Sequence, residues 1–249
     1  MTPDNNLVYV YDGSFDGFLS CVFVAFERKE NPGLITVPER VQCSFGQICR
    51  EIPTDEEQSG RVFAGLEKAI GTEGLELLYY TTLSTHSGAG AAALQYIRMG
   101  FRIGRQVHNA LTDEYVMQVH KAHKEVSRSA EKHVQFLRFK ELEGGILFAE
   151  FAPAPHVLPV IMPRFADRLG CQPFIIHDRS RQLAGLYDTR ECRLVSSETM
   201  TLPSFSQHEE KYRALWKDFY NAVAIKERIN YRRRQNLMPK KYWYLLCEI

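Results

Sequence analysis

Arg232, Arg233 and Arg234 form one cationic cluster, and Lys240 and Lys241 form a second just beyond Met238-Pro239. Three consecutive aromatics follow, Tyr242, Trp243 and Tyr244. Lysine and arginine side chains neutralise phosphates, and aromatic faces stack on bases, so a short segment carrying both has the chemistry of a nucleic-acid contact. Each half also has a structural explanation. Cations in the last turn of a helix complement its dipole, although three arginines exceed what a dipole needs. Tyr242 and Trp243 either stack on bases or tie the C-terminal segment to the core, and in the second case the cations point outward. Arg138 and Arg164 are further phosphate-binding candidates on charge alone.

Four other groups could do chemistry. Tyr11-Asp12-Gly13-Ser14-Phe15-Asp16-Gly17 reads as a strand, a tight turn and a helix start, where free backbone N–H groups gather. Asp12 and Asp16 there would repel phosphate. They serve a capped helix, or else hold a metal or act as acid and base. His177-Asp178, at a strand end, is a second acid/base candidate with no nucleophile identified nearby. Gly88-Ala89-Gly90-Ala91-Ala92-Ala93 fits the loose dinucleotide pattern, but helical sequence flanks it where the fingerprint needs strands. His120 and His123 share a helix face among Lys121, Lys124, Arg128 and Lys132, which reads as a solvated basic face rather than a metal site.

The elements that must position these residues follow from periodicity. Leu7 to Tyr11 reads as a buried strand. Phe15, Phe18, Leu19, Val22, Phe23 and Phe26 mark one helical face capped by Ser14. Short strands are predicted near Ile35 and Ile48. Thr54 and Glu57 have capping-box spacing, and helices are predicted over 55–70, 73–85, 89–103 and 112–134, the last with Tyr115, Val116, Val119, Ala122, Val126 and Ala130 on one stripe. Strand-like runs follow at 136–139, 146–151, 173–177, 183–187 and 192–195, with a Gly144-Gly145 turn and one helix over 156–169. Ser206 to Glu209 is a second capping box. Beyond it Tyr212, Leu215, Trp216, Phe219 and Val223 are expected to face a core. The expected class is α+β: a mainly helical N-terminal half packed with a largely antiparallel sheet, closed by a long C-terminal helix. No linker is evident, so 1–249 reads as a single compact domain, with a possible subdivision into 1–134 and 135–249.

The 249 residues are 45% hydrophobic and 24% charged, ordinary globular composition. Net charge is only +1, but residues 226–241 hold seven cations against Glu227, a local charge of +6 that leaves −5 on the rest. Six dispersed cysteines, with no Cys-x-x-Cys pair, suggest a reducing compartment and no protein-bound iron–sulfur cluster. The N-terminal residues lack a basic secretion signal, and the longest apolar run is too short to span a bilayer. A cytoplasmic protein with no membrane partner, no cofactor and no metal is expected.

Several ordered motifs carry a resemblance across most of the chain: Tyr11 to Phe23, Phe136-Leu137-Arg138-Phe139, Phe151-Ala152-Pro153, Val157-Leu158-Pro159, His177-Asp178-Arg179, Ala224 to Asn230, Met238 to Trp243, and Leu246-Cys247-Glu248. In these the chain resembles a bacterial domain-of-unknown-function family associated with DNA metabolism and repair. Members are usually encoded beside a radical SAM protein, and some are fused to a uracil-DNA glycosylase-like domain. The family pattern has Lys-Arg where this chain has Lys240-Lys241, which keeps the charge and loses a bidentate contact. The resemblance implies a DNA-binding accessory protein in DNA repair or modification, with DNA and the radical SAM protein as partners. A nucleic-acid-acting hydrolase using Asp12, Asp16, His177 and Asp178 is the first alternative. A structural adaptor that never touches DNA is the second.

Overall fold

The computed structural model describes every residue except 1–2, 42–44, 202, 226–227, 229 and 247–249. Cys43, Lys226, Glu227, Ile229, Cys247 and Glu248, which figured in the sequence reading, therefore lie outside the described residues. The chain combines helices with two sheets in an α+β arrangement. It divides into two compact units, Met1–Arg128 and Ser129–Ile249.

In the first unit, β1 (Asp4–Val10) pairs in parallel with β2 (Pro32–Thr36) and β3 (Ile48–Glu51), giving the order β2-β1-β3. Helix α1 (Phe15–Glu27) starts where expected, its N-cap Ser14 accepting from the Gly17 N–H. It buries Phe18, Leu19, Cys21 and Val22, while Phe26 at the far end of the stripe stays exposed. Helix α2 (Glu56–Thr82) joins two of the expected helices across a kink at Gly71, whose φ of 72° suits a residue without a Cβ. Asp55, not Thr54, caps it, accepting from the Gln58 N–H. Helix α3 (Ala89–Ile103) lies so close to β2 that a Cβ on Gly90 would fall 2.5 Å from the Ile35 carbonyl oxygen. The small residues of the dinucleotide-like run thus serve packing. Helix α4 (Glu114–Phe136) buries Val116, Val119, Ala122, Val126 and Ala130, the stripe read from the sequence. The boundary between the units falls inside this continuous helix, so no change of composition marks it.

The second unit is built on a five-stranded sheet of order β4-β5-β6-β7-β8. Its strands are β4 (Lys140–Glu141), β5 (Leu147–Phe151), β6 (Phe174–Asp178), β7 (Leu183–Tyr187) and β8 (Cys192–Ser196). All pairs are antiparallel except β5 and β6, which run parallel and are joined through helix α5 (Leu158–Leu169). One expected strand, 136–139, does not form. Phe136 ends α4 and pairing begins only at Lys140. Phe139 instead packs edge-on against Phe165 and Phe174, with ring centroids 5.2 and 5.8 Å away, so core contacts prevail over local strand propensity. Helix α5 presses against the sheet at Gly185, where a Cβ would lie 2.3 Å from the Met162 sulfur.

Helix α6 (Gln207–Val223) begins at Ser206, which accepts from the Glu209 N–H. Here the structure corrects the sequence reading. Tyr212, Leu215, Trp216, Phe219 and Val223 are exposed rather than core residues. In the segment that follows, Met238, Tyr242 and Leu245 are buried. Beyond α6 the described residues form a short helix α7 (Tyr231–Leu237) and a 3₁₀ helix over Lys240–Leu245.

Candidate nucleic-acid interface

The basic segment is held by specific local bonds. Asn230 caps α7, its side-chain oxygen accepting from the Arg233 N–H at 2.9 Å. Met238, extended at φ −130°, ends the helix ahead of Pro239, as the residue before a proline favours. Within the 3₁₀ helix, Trp243 donates its Nε1–H to the Met238 carbonyl at 2.8 Å, closing the turn between the two cationic clusters.

The aromatics act as anchors. Tyr242 is only 4% exposed. Its ring meets His133 at 5.1 Å and Phe136 at 5.5 Å between centroids. Tyr244 accepts from the Ala152 N–H through its hydroxyl. Trp243 carries the Arg234 guanidinium over its ring at 5.0 Å. Of the two roles left open for Tyr242, base stacking is therefore excluded by burial, and one face of Trp243 is already covered. His133 sits in the same cluster, with Phe151 5.1 Å away on another side. The Ser129 carbonyl, which can only accept, takes the Nδ1–H of His133 at 2.8 Å. Burial lowers the His133 pKa to about 4, and the nearby Lys241 charge adds to this against the Ser129 bond.

The cations face the other way. Arg232, Arg233, Lys240 and Lys241 are exposed, and Arg234 is half-buried against Trp243. Among the described residues, none of the five enters an ion pair with a carboxylate. Arg138 is also exposed, its guanidinium donating to the Gln135 and Leu137 carbonyls. Arg164 does not share this availability. It is paired with Glu131 of α4, and its charge is answered within the fold.

The acid and base candidates are engaged elsewhere. In the first unit, Asp12 accepts from the Ser14 N–H and hydroxyl and from Thr54 at 2.8 Å. Burial pushes the Asp12 carboxyl up, but these hydrogen bonds outweigh it and hold it below the usual range. Asp16 stands in the first turn of α1, where an acidic side chain complements the helix dipole. His120 and His123 are half-buried rather than solvated. His120 bonds the His108 carbonyl, and His123 lies over Tyr80 at 4.8 Å. No group of three or more His, Cys, Asp or Glu among the described residues is placed to hold a metal. Cys49 is disulfide-bonded, a crosslink that the reading of dispersed thiols did not anticipate.

In the second unit, strand alternation sends His177 and Asp178 to opposite faces of β6. Asp178 is fully buried and bonds Arg181 at 3.0 Å, while Arg181 also donates to the Pro153 and Ala154 carbonyls. This clamp is structural, and burial raises the Asp178 pKa despite Arg181. On the other face, His177 Nε2 lies 3.0 Å from Ser197 Oγ and Nδ1 lies 3.5 Å from Glu150. Ser197 and Glu150 escaped the sequence reading. Alternation along β5 marks Glu150 as polar-facing, but only the strand pairing brings Ser197, just past β8, beside His177.

No curated protein matches the sequence. The family model described as a domain of unknown function, DUF4130, matches residues 87–248, and the chain belongs to that family.

Proposed function

We propose that this member of the DUF4130 family is a DNA-binding accessory protein in DNA repair or modification, acting with a radical SAM enzyme. The observation that carries the reading is the two-sided build of the C-terminal segment. Buried or packed aromatics fix it in place, and the cations beside them project with no carboxylate partner among the described residues. A fixed cationic surface attracts a polyanion with little ordering cost. The interaction test is fluorescence anisotropy with labelled DNA, read against salt. The partnership is tested by co-purification with the radical SAM protein, with and without DNA, and failure to associate in both conditions contradicts it.

A second reading, a hydrolase, is favoured by the Ser197–His177–Glu150 array, which has the order of nucleophile, base and orienting carboxylate. Asp12, Asp16 and Asp178 take no part in it. A fluorophosphonate probe that labels Ser197, and fails to label the His177→Gln variant, would support this reading. Absence of label on the wild-type protein removes it.

A further inference from the structure

The second unit has a groove of about 720 Å³ between one face of the sheet and the apolar side of α6. That volume falls within the range of ligand sites, roughly 300–1,000 Å³. Its lining is mainly aromatic, with aromatic side chains outnumbering aliphatic ones. Tyr212, Phe205 and Phe219 are 65%, 48% and 57% exposed, and Trp216 is 44% exposed beside Phe219, with ring centroids 5.9 Å apart. Flat π-faces at such exposure match nucleobases, which all present a π-face regardless of sequence.

The charges in the groove favour the same occupant. Its acids are engaged within the protein. Glu209 accepts from the Glu141 N–H at 3.1 Å, and Glu150 contacts Arg179 and His177. Its cations are not so neutralised. Among the described residues Arg138, Lys140 and Arg213 enter no ion pair with a carboxylate, and Lys140 Nζ lies 5.3 Å over the Phe205 ring. The groove is also continuous with the basic segment. The 3₁₀ helix that exposes Lys240 and Lys241 contributes Tyr244 and Leu245 to the groove wall.

From this arrangement we infer that the groove receives unpaired bases of single-stranded DNA, while the cations at its rim and on the adjoining segment hold the strand's phosphates. The inference rests on the DNA-binding reading above and specifies the substrate class. In a duplex, base faces are covered by their neighbours, so only an unpaired or extruded base can enter. The aromatic wall makes no demand for a ribose hydroxyl, so deoxyribose is sufficient.

The test is anisotropy of a labelled oligothymidylate against a blunt duplex of equal length, at one ionic strength. Oligothymidylate is expected to bind at least about tenfold tighter. Trp216→Ala and Phe219→Ala, each checked for native circular dichroism, are each expected to weaken it about 5- to 150-fold, the range for loss of one stacked base. In the Trp243→Phe protein, where Trp216 is the remaining tryptophan, oligothymidylate is expected to quench the fluorescence. Duplex binding equal to single-strand binding, with both alanine variants unchanged, overturns this inference and leaves the DNA-binding reading standing. Failure to bind either DNA ends both. Tighter binding of oligouridylate overturns the assignment to DNA. Self-association that Trp216→Ala abolishes, with oligothymidylate affinity unchanged, assigns the groove to a protein interface instead.

Discussion

The Arg234 guanidinium lies 5.0 Å from the centroid of the Trp243 ring, and the Trp243 Nε1–H is bonded to the Met238 carbonyl. The pair spans the turn between the two cationic clusters. It fixes their spacing before any ligand arrives. Trp243→Phe keeps an aromatic face and removes the hydrogen bond. The expected cost is about 1 kcal/mol of stability, read by urea denaturation, with a further loss when Arg234→Ala is added. The link itself is read in a double-mutant cycle of Trp243→Ala with Arg234→Ala, where the double variant is expected to lose less stability than the sum of the two single losses; strictly additive losses would contradict an energetic link between the residues.

His133 gives the second unit an acid sensitivity. Its pKa is lowered to about 4 in the folded state, against about 6.5 when exposed in the unfolded chain. Between those values the unfolded state binds the extra proton, so stability is intact above pH 6.5 and is lost as the pH falls toward 4. The loss is on the order of 3 kcal/mol over that window. His133→Phe, which keeps the ring packing against Phe151 and Tyr242, is expected to flatten the pH dependence of the denaturation midpoint between pH 6.5 and 4.5. An unchanged slope in the variant would place the acid sensitivity elsewhere.

Asp178 is predicted to matter to stability rather than to chemistry. Removing its partner by Arg181→Ala leaves a buried carboxylate without its ion pair, and releases the Pro153 and Ala154 carbonyls. Breaking a buried pair in this way costs about 3–5 kcal/mol. Differential scanning calorimetry is expected to show a clear fall in the melting temperature. A melting temperature within a degree of the wild type would refute the clamp.

Gly17 supports the Asp12 network by its lack of a side chain. A Cβ there would lie 2.2 Å from Asp12 Oδ1 and 2.8 Å from Thr54 Oγ1. Gly17→Ala is expected to displace Asp12 and cost about 1–3 kcal/mol, although alanine is the better helix former. A stabilised variant in thermal denaturation would show that the network yields without penalty.

Local rules made much of the fold legible. Ser14 and Ser206 cap the helices their spacing indicated, and the α4 stripe is buried as its period required. The failures involve competition between distant segments. Phe139 lies in a strand-like run but is drawn into a cluster with Phe165 and Phe174. The α6 stripe has the period of a core helix, yet its residues are exposed, while Met238, Tyr242 and Leu245 further along the chain are buried. No feature within residues 207–223 signals that outcome. The cations of the candidate site were visible as composition, whereas the anchoring of Tyr242 on His133 and Phe136 required tertiary contacts. Arg164 was indistinguishable from Arg138 by charge, and only the pairing with Glu131 separates them.

Contact between the cations of the C-terminal segment and DNA phosphates has a direct readout in salt dependence: the slope of log affinity against log salt for the wild type and for the Arg232→Ala, Arg233→Ala, Arg234→Ala triple variant. If each arginine neutralises one phosphate, the slope falls in magnitude by about 2 for single-stranded DNA, at about 0.7 per contact. The same slope in both proteins, or wild-type affinity with no salt dependence, would contradict the account.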